Sequence, residues 1–125
     1  MHHRTLVCLT WLIIVTFASG LRLSKLDTRP FHADEATGAR ILSQRLAGEY
    51  QFNPNHFHGP LLSLLTEPLA RLRNETTWQS LSIETLRLSP AVAGILLCLT
   101  PLLWRRVMGE YGAALSAALL ATSPI

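Results

Sequence analysis

The sequence predicts an all-α membrane protein: multi-pass transmembrane helices with an extracytoplasmic loop of short amphipathic surface helices. Three observations carry this. Of 125 residues, 49% are hydrophobic and only 15% charged, against about 25% charged in soluble domains. The charges crowd between Arg22 and Arg87 and nearly vanish from residues 5–21, 88–104 and 112–125. Basic residues flank the apolar stretches, with His2, His3 and Arg4 before the first and Arg105 and Arg106 after the second. Positive flanks mark the cytoplasmic side, so the N-terminus is expected inside and the loop outside.

The first predicted span covers residues 5–23. Residues 6–21 form a charge-free run of 16, about 24 Å of helix, which crosses a ~30 Å hydrocarbon core once flanking residues join in. A signal peptide is the alternative, with a small-residue cleavage site at Ala18-Ser19-Gly20. The later apolar segments favour a retained anchor. The loop spans residues 24–86. Its first helix is expected over 34–48, because Ala36, Ala39, Leu42 and Leu46 fall on one stripe and Gly48 stops it. "EYQFNPNHFHGP" reads as a turn-rich connector. "LLSLLTEPLARLR" reads as a second short helix, broken near Pro68 and too short to span, placed on the membrane surface. Asn74-Glu75-Thr76 is a formal glycosylation sequon.

The second span is expected over 87–104, with Pro90 at its entry and Pro101 kinking its last turn. "VMGEYG" reads as a hinge, followed by a partial span over 112–125 rich in small residues that permit close helix packing. The chain reads as the N-terminal part of something longer. Cys8 and Cys98 lie in apolar segments and read as small core hydrophobes.

The net charge of +3 comes without a basic run or aromatic interleaving, so nucleic-acid binding has no support. No GxGxxG or GxxxxGK[ST] is present, and nucleotide binding has none either. The residues that invite chemistry are Asp34 and Glu35 in "RPFHADEATGAR". Asp34 is expected as the N-cap of the first loop helix and Glu35 as its first residue. Acids there suit the helix dipole, which by itself is a structural role. The same placement favours the charged carboxylate and so suits a base that deprotonates a hydroxyl. His32 adds a third titratable group, and His56 and His58 lie on the connector turn. Asp34, Glu35, His56 and His58 are also ligand types for a divalent metal, although His-x-His on a turn is a weak signal.

"RPFHADEATGAR", "YQFNPNHFHGPLLSLLTEPLARL" and "LRLSPAVAGILLCLTPLLWRRVMGEYGAALSAALLATSPI" together resemble the N-terminal part of GT-C superfamily membrane glycosyltransferases. The closest look is to the protein O-mannosyltransferase and aminoarabinose-transferase branch, and within it to flippase-activity-associated proteins of N-glycosylation. The matching features are Asp34-Glu35, His58-Gly59-Pro60, Arg87-Leu88-Ser89-Pro90, Arg105-Arg106 and Ser123-Pro124. The resemblance implies an inverting, mannosyltransferase-like enzyme of protein glycosylation in the cell membrane. It would take a sugar from a polyprenyl-phosphate donor outside the cytoplasm. It maps the catalytic base to Asp34, with Glu35 orienting Asp34 or an arginine. It puts His58 in the site. His32, Arg29 and Arg40 are further substrate-binding candidates by their nearness in sequence. No cofactor is firmly implied, a divalent metal is compatible, and the expected partners are the donor, membrane lipids and further spans of the same protein. Without those spans the chain is expected to be inactive. The alternative function is a non-enzymatic membrane protein that binds lipid-linked sugars or assists their flipping.

Overall fold

The computed structural model describes residues 2–24, 26–55 and 59–123, with the side chains of residues 2–4 left out. Five α-helices and no strand occur among them: α1 (His2–Leu23), α2 (Ala33–Leu46), α3 (Leu61–Leu72), α4 (Ile83–Leu97) and α5 (Pro101–Thr122). The all-α class follows the sequence pattern. The chain divides into two compact units, residues 1–24 with 91–125, and residues 25–90.

In the first unit α1 packs on α5. Trp11, Ile14 and Ala18 of α1 form a core with Cys98 and with Ala113, Ala117 and Ala121 of α5. The three alanines recur every fourth residue, so they share one helix face and let the two backbones approach closely. Outside this stripe α1 exposes Leu6, Leu9, Leu12, Ile13, Phe17 and Leu21. Arg22, in the last turn of α1, donates to the carbonyls of Leu120 (2.6 Å), Ala121 (2.9 Å) and Ser123 (3.4 Å). A cation therefore meets the negative end of the α5 dipole. The two C-terminal ends lie together, so α1 and α5 run parallel. Cys98 joins the core as expected, whereas Cys8 is exposed on the outer face of α1.

Residues 5–23 of α1 are long and apolar enough to cross a membrane, as a span or as a signal sequence would be. α4 and α5 meet that test only as a pair bent by 42°. The separate spans expected over 87–104 and 112–125 are thus drawn differently. α4 ends at Leu97, and Pro101 opens α5 instead of kinking the end of α4. The cause is local. Proline has no amide to give the Leu97 carbonyl, and that carbonyl instead accepts from the Thr100 N–H (3.1 Å) and Thr100 Oγ1 (2.7 Å). The expected hinge is the single residue Gly109, at φ 72° and ψ 165° inside α5. Those angles are reached easily only without a Cβ. With Arg105, Arg106 and Glu110 around the break, α5 carries too much charge to qualify alone.

In the second unit α2 packs on α3. The expected α2 stripe is confirmed by buried Ala39 and Leu42. Gly48, at φ 75°, closes the helix: its N–H donates to Arg45 O (3.0 Å) and the Glu49 N–H to Gln44 O (2.8 Å). α3 ends the same way, with Asn74 of the sequon at φ 57° as the left-handed residue. There the Asn74 N–H donates to Arg71 O (3.1 Å) and the Glu75 N–H to Ala70 O (2.9 Å). The expected break near Pro68 is absent, and α3 runs through to Leu72. Pro68 removes one amide, yet Leu64, whose carbonyl would have received it, is exposed. Glu67 accepts from Arg45 Nε of α2 (3.0 Å) and from Arg71 Nη2 one turn on (2.8 Å), which ties α3 to α2 beside the proline. α4 starts behind Ser82, whose Oγ accepts from the Thr85 N–H (3.2 Å). Glu75 accepts from both the Ser82 N–H (3.0 Å) and Ser82 Oγ (2.9 Å), which fixes the connection from α3.

Candidate functional site

The site is built on the first turn of α2. The N-cap is His32, not Asp34. Its Nδ1 accepts from the Asp34 N–H (3.4 Å), while its own N–H donates to Glu35 Oε2 (2.9 Å). The reciprocal pair needs an acceptor side chain at the cap and a Glu three residues later, and "HADE" supplies both. The cap therefore lies two residues earlier than expected, and the helix begins at Ala33. Asp34 becomes its second residue and Glu35 its third.

This shift gives the two acids different surroundings. Glu35 turns inward to Arg87 of α4. Arg87 Nε donates to Glu35 Oε1 at 2.6 Å and Nη2 to Oε2 at 2.8 Å, a bidentate pair. The side chains are 29% and 13% exposed. The remaining Arg87 N–H groups go to backbone: Nη1 to Leu26 O (2.6 Å) and Arg29 O (3.1 Å), Nη2 to Pro30 O (3.1 Å). A guanidinium has five N–H donors, and all five are engaged. Arg87 thus clamps the 26–30 segment and the start of α2 to α4. The Arg87 hydrogen bonds hold the Glu35 carboxyl far below its usual range, at about 2, against a desolvation that pushes it up; the His32 N–H lowers it further. Glu35 is a fixed anion and a poor proton acceptor.

Asp34 faces outward, its side chain 78% exposed, with Oδ2 3.9 Å from His32 Nδ1. It is the accessible carboxylate of the pair. His32 is therefore brought to the acids. Arg29 reaches the cluster through its carbonyl, and Arg40 is exposed further along α2. His56 and His58 lie outside the described residues, as does Pro124. Among the described residues no three His, Cys, Asp or Glu side chains gather as metal ligands would.

Beside Glu35 a small open cleft runs between α2, α3 and the first turns of α4. Ala39, Leu42, Leu62, Leu86 and Pro90 make it apolar, and Glu35 and Arg87 are its charged lining. Ser63 and Thr66 also line it, but their hydroxyls are occupied: Ser63 Oγ donates to Pro60 O (2.8 Å), and Thr66 Oγ1 pairs with Leu62 O (2.8 Å) and Ser89 Oγ (2.9 Å).

Arg87 is not among the site residues expected from the sequence. Its signal was present: a lone arginine at the mouth of a charge-free run needs a counter-ion, and an adjacent acid pair in the same loop has one carboxylate to spare.

Comparison with family models, curated proteins and solved structures returned no match. The likeness to GT-C enzymes therefore rests on the residues quoted above.

Proposed function

We propose that the protein acts in sugar transfer of the GT-C type, moving a sugar from a polyprenyl-phosphate donor to an acceptor hydroxyl outside the cytoplasm. The observation that carries this reading is the split acid pair. Glu35 is spent on Arg87 and lines the apolar cleft, and its neighbour Asp34 is turned outward as the accessible carboxylate of the helix start.

In this reading α1 crosses outward from an N-terminus inside, α4 brings the chain back to Arg105 and Arg106 on the inside, and beyond Gly109 the second half of α5 runs outward again. The parallel run of α1 and α5, and the basic residues near the N-terminus and at Arg105 and Arg106, support that topology. Asp34 accepts the proton of the acceptor hydroxyl as its oxygen attacks the anomeric carbon. The bond from that carbon to the phosphate oxygen breaks, its electron pair leaves with the phosphate, and configuration inverts. A single base suffices, unlike the carboxylate pair of glycosidases. Arg87 has no N–H left for the leaving phosphate, so it and Glu35 are positioning residues. The cation at the phosphate is supplied by another group, for which Arg29 and Arg40 are the candidates in this chain.

The test expresses the gene's full reading frame in membranes and follows label from a radiolabelled polyprenyl-phosphate hexose into non-lipid product. Asp34→Asn is expected to abolish transfer and leave donor binding intact. Transfer retained by Asp34→Asn sinks the base assignment. Donor binding without transfer in the unaltered protein favours the lipid-sugar binding reading instead.

A further inference from the structure

The imidazole of His32 has two neighbours at a single nitrogen. Its Nδ1 accepts from the Asp34 N–H (3.4 Å), and the same Nδ1 stands 3.9 Å from Asp34 Oδ2. Accepting a backbone N–H requires a bare lone pair, so in this geometry the ring is neutral and carries its proton on Nε2. A proton on Nδ1 reverses the preference. That nitrogen becomes a donor, which meets the Asp34 N–H as like meets like. The Asp34 carboxylate then lies about 1 Å beyond the distance of a charge-assisted hydrogen bond. The nitrogen therefore holds the helix backbone or the carboxylate, never both.

We infer that His32 is a proton-operated switch on Asp34. Neutral, it caps α2 and leaves the carboxylate turned outward. Protonated, it releases the Asp34 N–H and pairs with the carboxylate. Three features confine the change to this ring. First, the other half of the cap stays in place. The His32 N–H donates to Glu35 Oε2 (2.9 Å), and Arg87 keeps Glu35 anionic. Second, the charged groups around the ring are Asp34 and Glu35 on α2, Arg87 on α4, and Asp27 and Arg29 ahead of α2. Carboxylates and guanidiniums ordinarily change charge outside the range of about pH 5 to 8, and histidine within it. Third, the two side chains are 75% and 78% exposed, so protons reach both without opening the fold. An exposed ion pair is weak, which suits a contact that must reverse. A carboxylate held by an imidazolium is a weaker base toward a hydroxyl, so transfer is turned down as pH falls through the histidine range. That consequence rests on the reading of Asp34 as the base, whereas the switch itself does not.

The test records NMR spectra of the isotope-labelled full chain in detergent micelles from about pH 5 to 8. Above the His32 midpoint, Nδ1 should be the unprotonated ring nitrogen. Through the midpoint, the Asp34 amide and the Asp34 carboxyl carbon should shift together with the ring. His32→Asn keeps a good cap and does not titrate. It should lose both Asp34 steps and leave the other α2 amides in place, and His32→Ser takes its part if that variant fails to fold. In Asp34→Asn the His32 midpoint should fall by about 0.2–0.7 pH unit, the size of an exposed ion pair. A proton on Nδ1 above the midpoint overturns the inference. So does a ring that titrates while the Asp34 carboxyl carbon stays unmoved. An Asp34 step that survives in His32→Asn overturns it too, and assigns the step to another histidine. None of these signals depends on turnover, so transfer retained by Asp34→Asn would sink the base assignment and leave the switch standing.

Discussion

Replacing Glu35 by Gln keeps the shape of the side chain and removes its charge, leaving Arg87 clamped to three carbonyls without an anion. The Glu35 carboxyl is lowered from 4.5 to about 2. At about 1.4 kcal/mol per pKa unit, the ionised group contributes ~3 kcal/mol at neutral pH. The sign follows from the depressed value. The contribution is complete above pH 5 and is lost as pH falls from about 5 to about 2. Glu67 and Glu75 are also lowered, Glu67 by its Arg71 and Arg45 hydrogen bonds and Glu75 by those from Ser82 and Thr85 against desolvation. The unaltered protein therefore loses stability in acid for several reasons. The difference between it and Glu35→Gln isolates one of them. Thermal unfolding in detergent, followed by circular dichroism between pH 7 and pH 3, should show a gap on the order of 10 °C at pH 7 that narrows as pH falls. Parallel curves with a constant gap would mean that Glu35 stabilises by packing and not by charge, and the clamp as described would be refuted.

Two glycines should respond in opposite ways. Gly48 holds a positive φ at the end of α2, so Gly48→Ala should cost about 1 kcal/mol, whereas Gly38 is helical with open space around its Cα, so Gly38→Ala should gain ~0.5–1 kcal/mol; paired melting curves read both. Leu42 is fully buried between α2 and its neighbours, and Leu42→Ala should cost ~2–5 kcal/mol in the same assay; a loss below 1 kcal/mol would mean that the cleft wall collapses freely.

The helical class, the residue that ends α2 and the hinge in α5 were legible because each has a local cause. A stripe of Ala36, Ala39 and Leu42, a glycine after it, and Gly109 between two apolar stretches act within a few residues. The site was legible only in part. Sequence singled out the acid pair, but the cap lies two residues earlier than expected, at His32, because histidine is an uncommon cap and only the position of Glu35 reveals it. Arg87 lies 52 residues from Glu35, and a pairing at that distance is set by tertiary packing that no local pattern encodes. Pro68 misled in the other direction. Proline costs a helix one backbone bond, and here the carbonyl left without its amide belongs to exposed Leu64, so α3 continues to Leu72.

The bond from Arg22 to Ala121 spans 99 residues, and it carries a consequence for biosynthesis. The unit holding α1 is discontinuous, with residues 25–90 forming a separate unit nested inside it. On a ribosome adding about 5–20 residues per second, α1 emerges first and then waits some 5–20 s for the helix that covers Trp11, Ile14 and Ala18. The nested unit is complete about 30 residues before α5 is. The fifth helix is thus the one that closes the first, and until it is made the Arg22 guanidinium has no α5 carbonyls to hold. Nascent chains stalled at residue 100 should present α1 to a protease or chaperone that chains released at residue 125 exclude. Equal protection at both lengths would show that α1 finds its partner elsewhere.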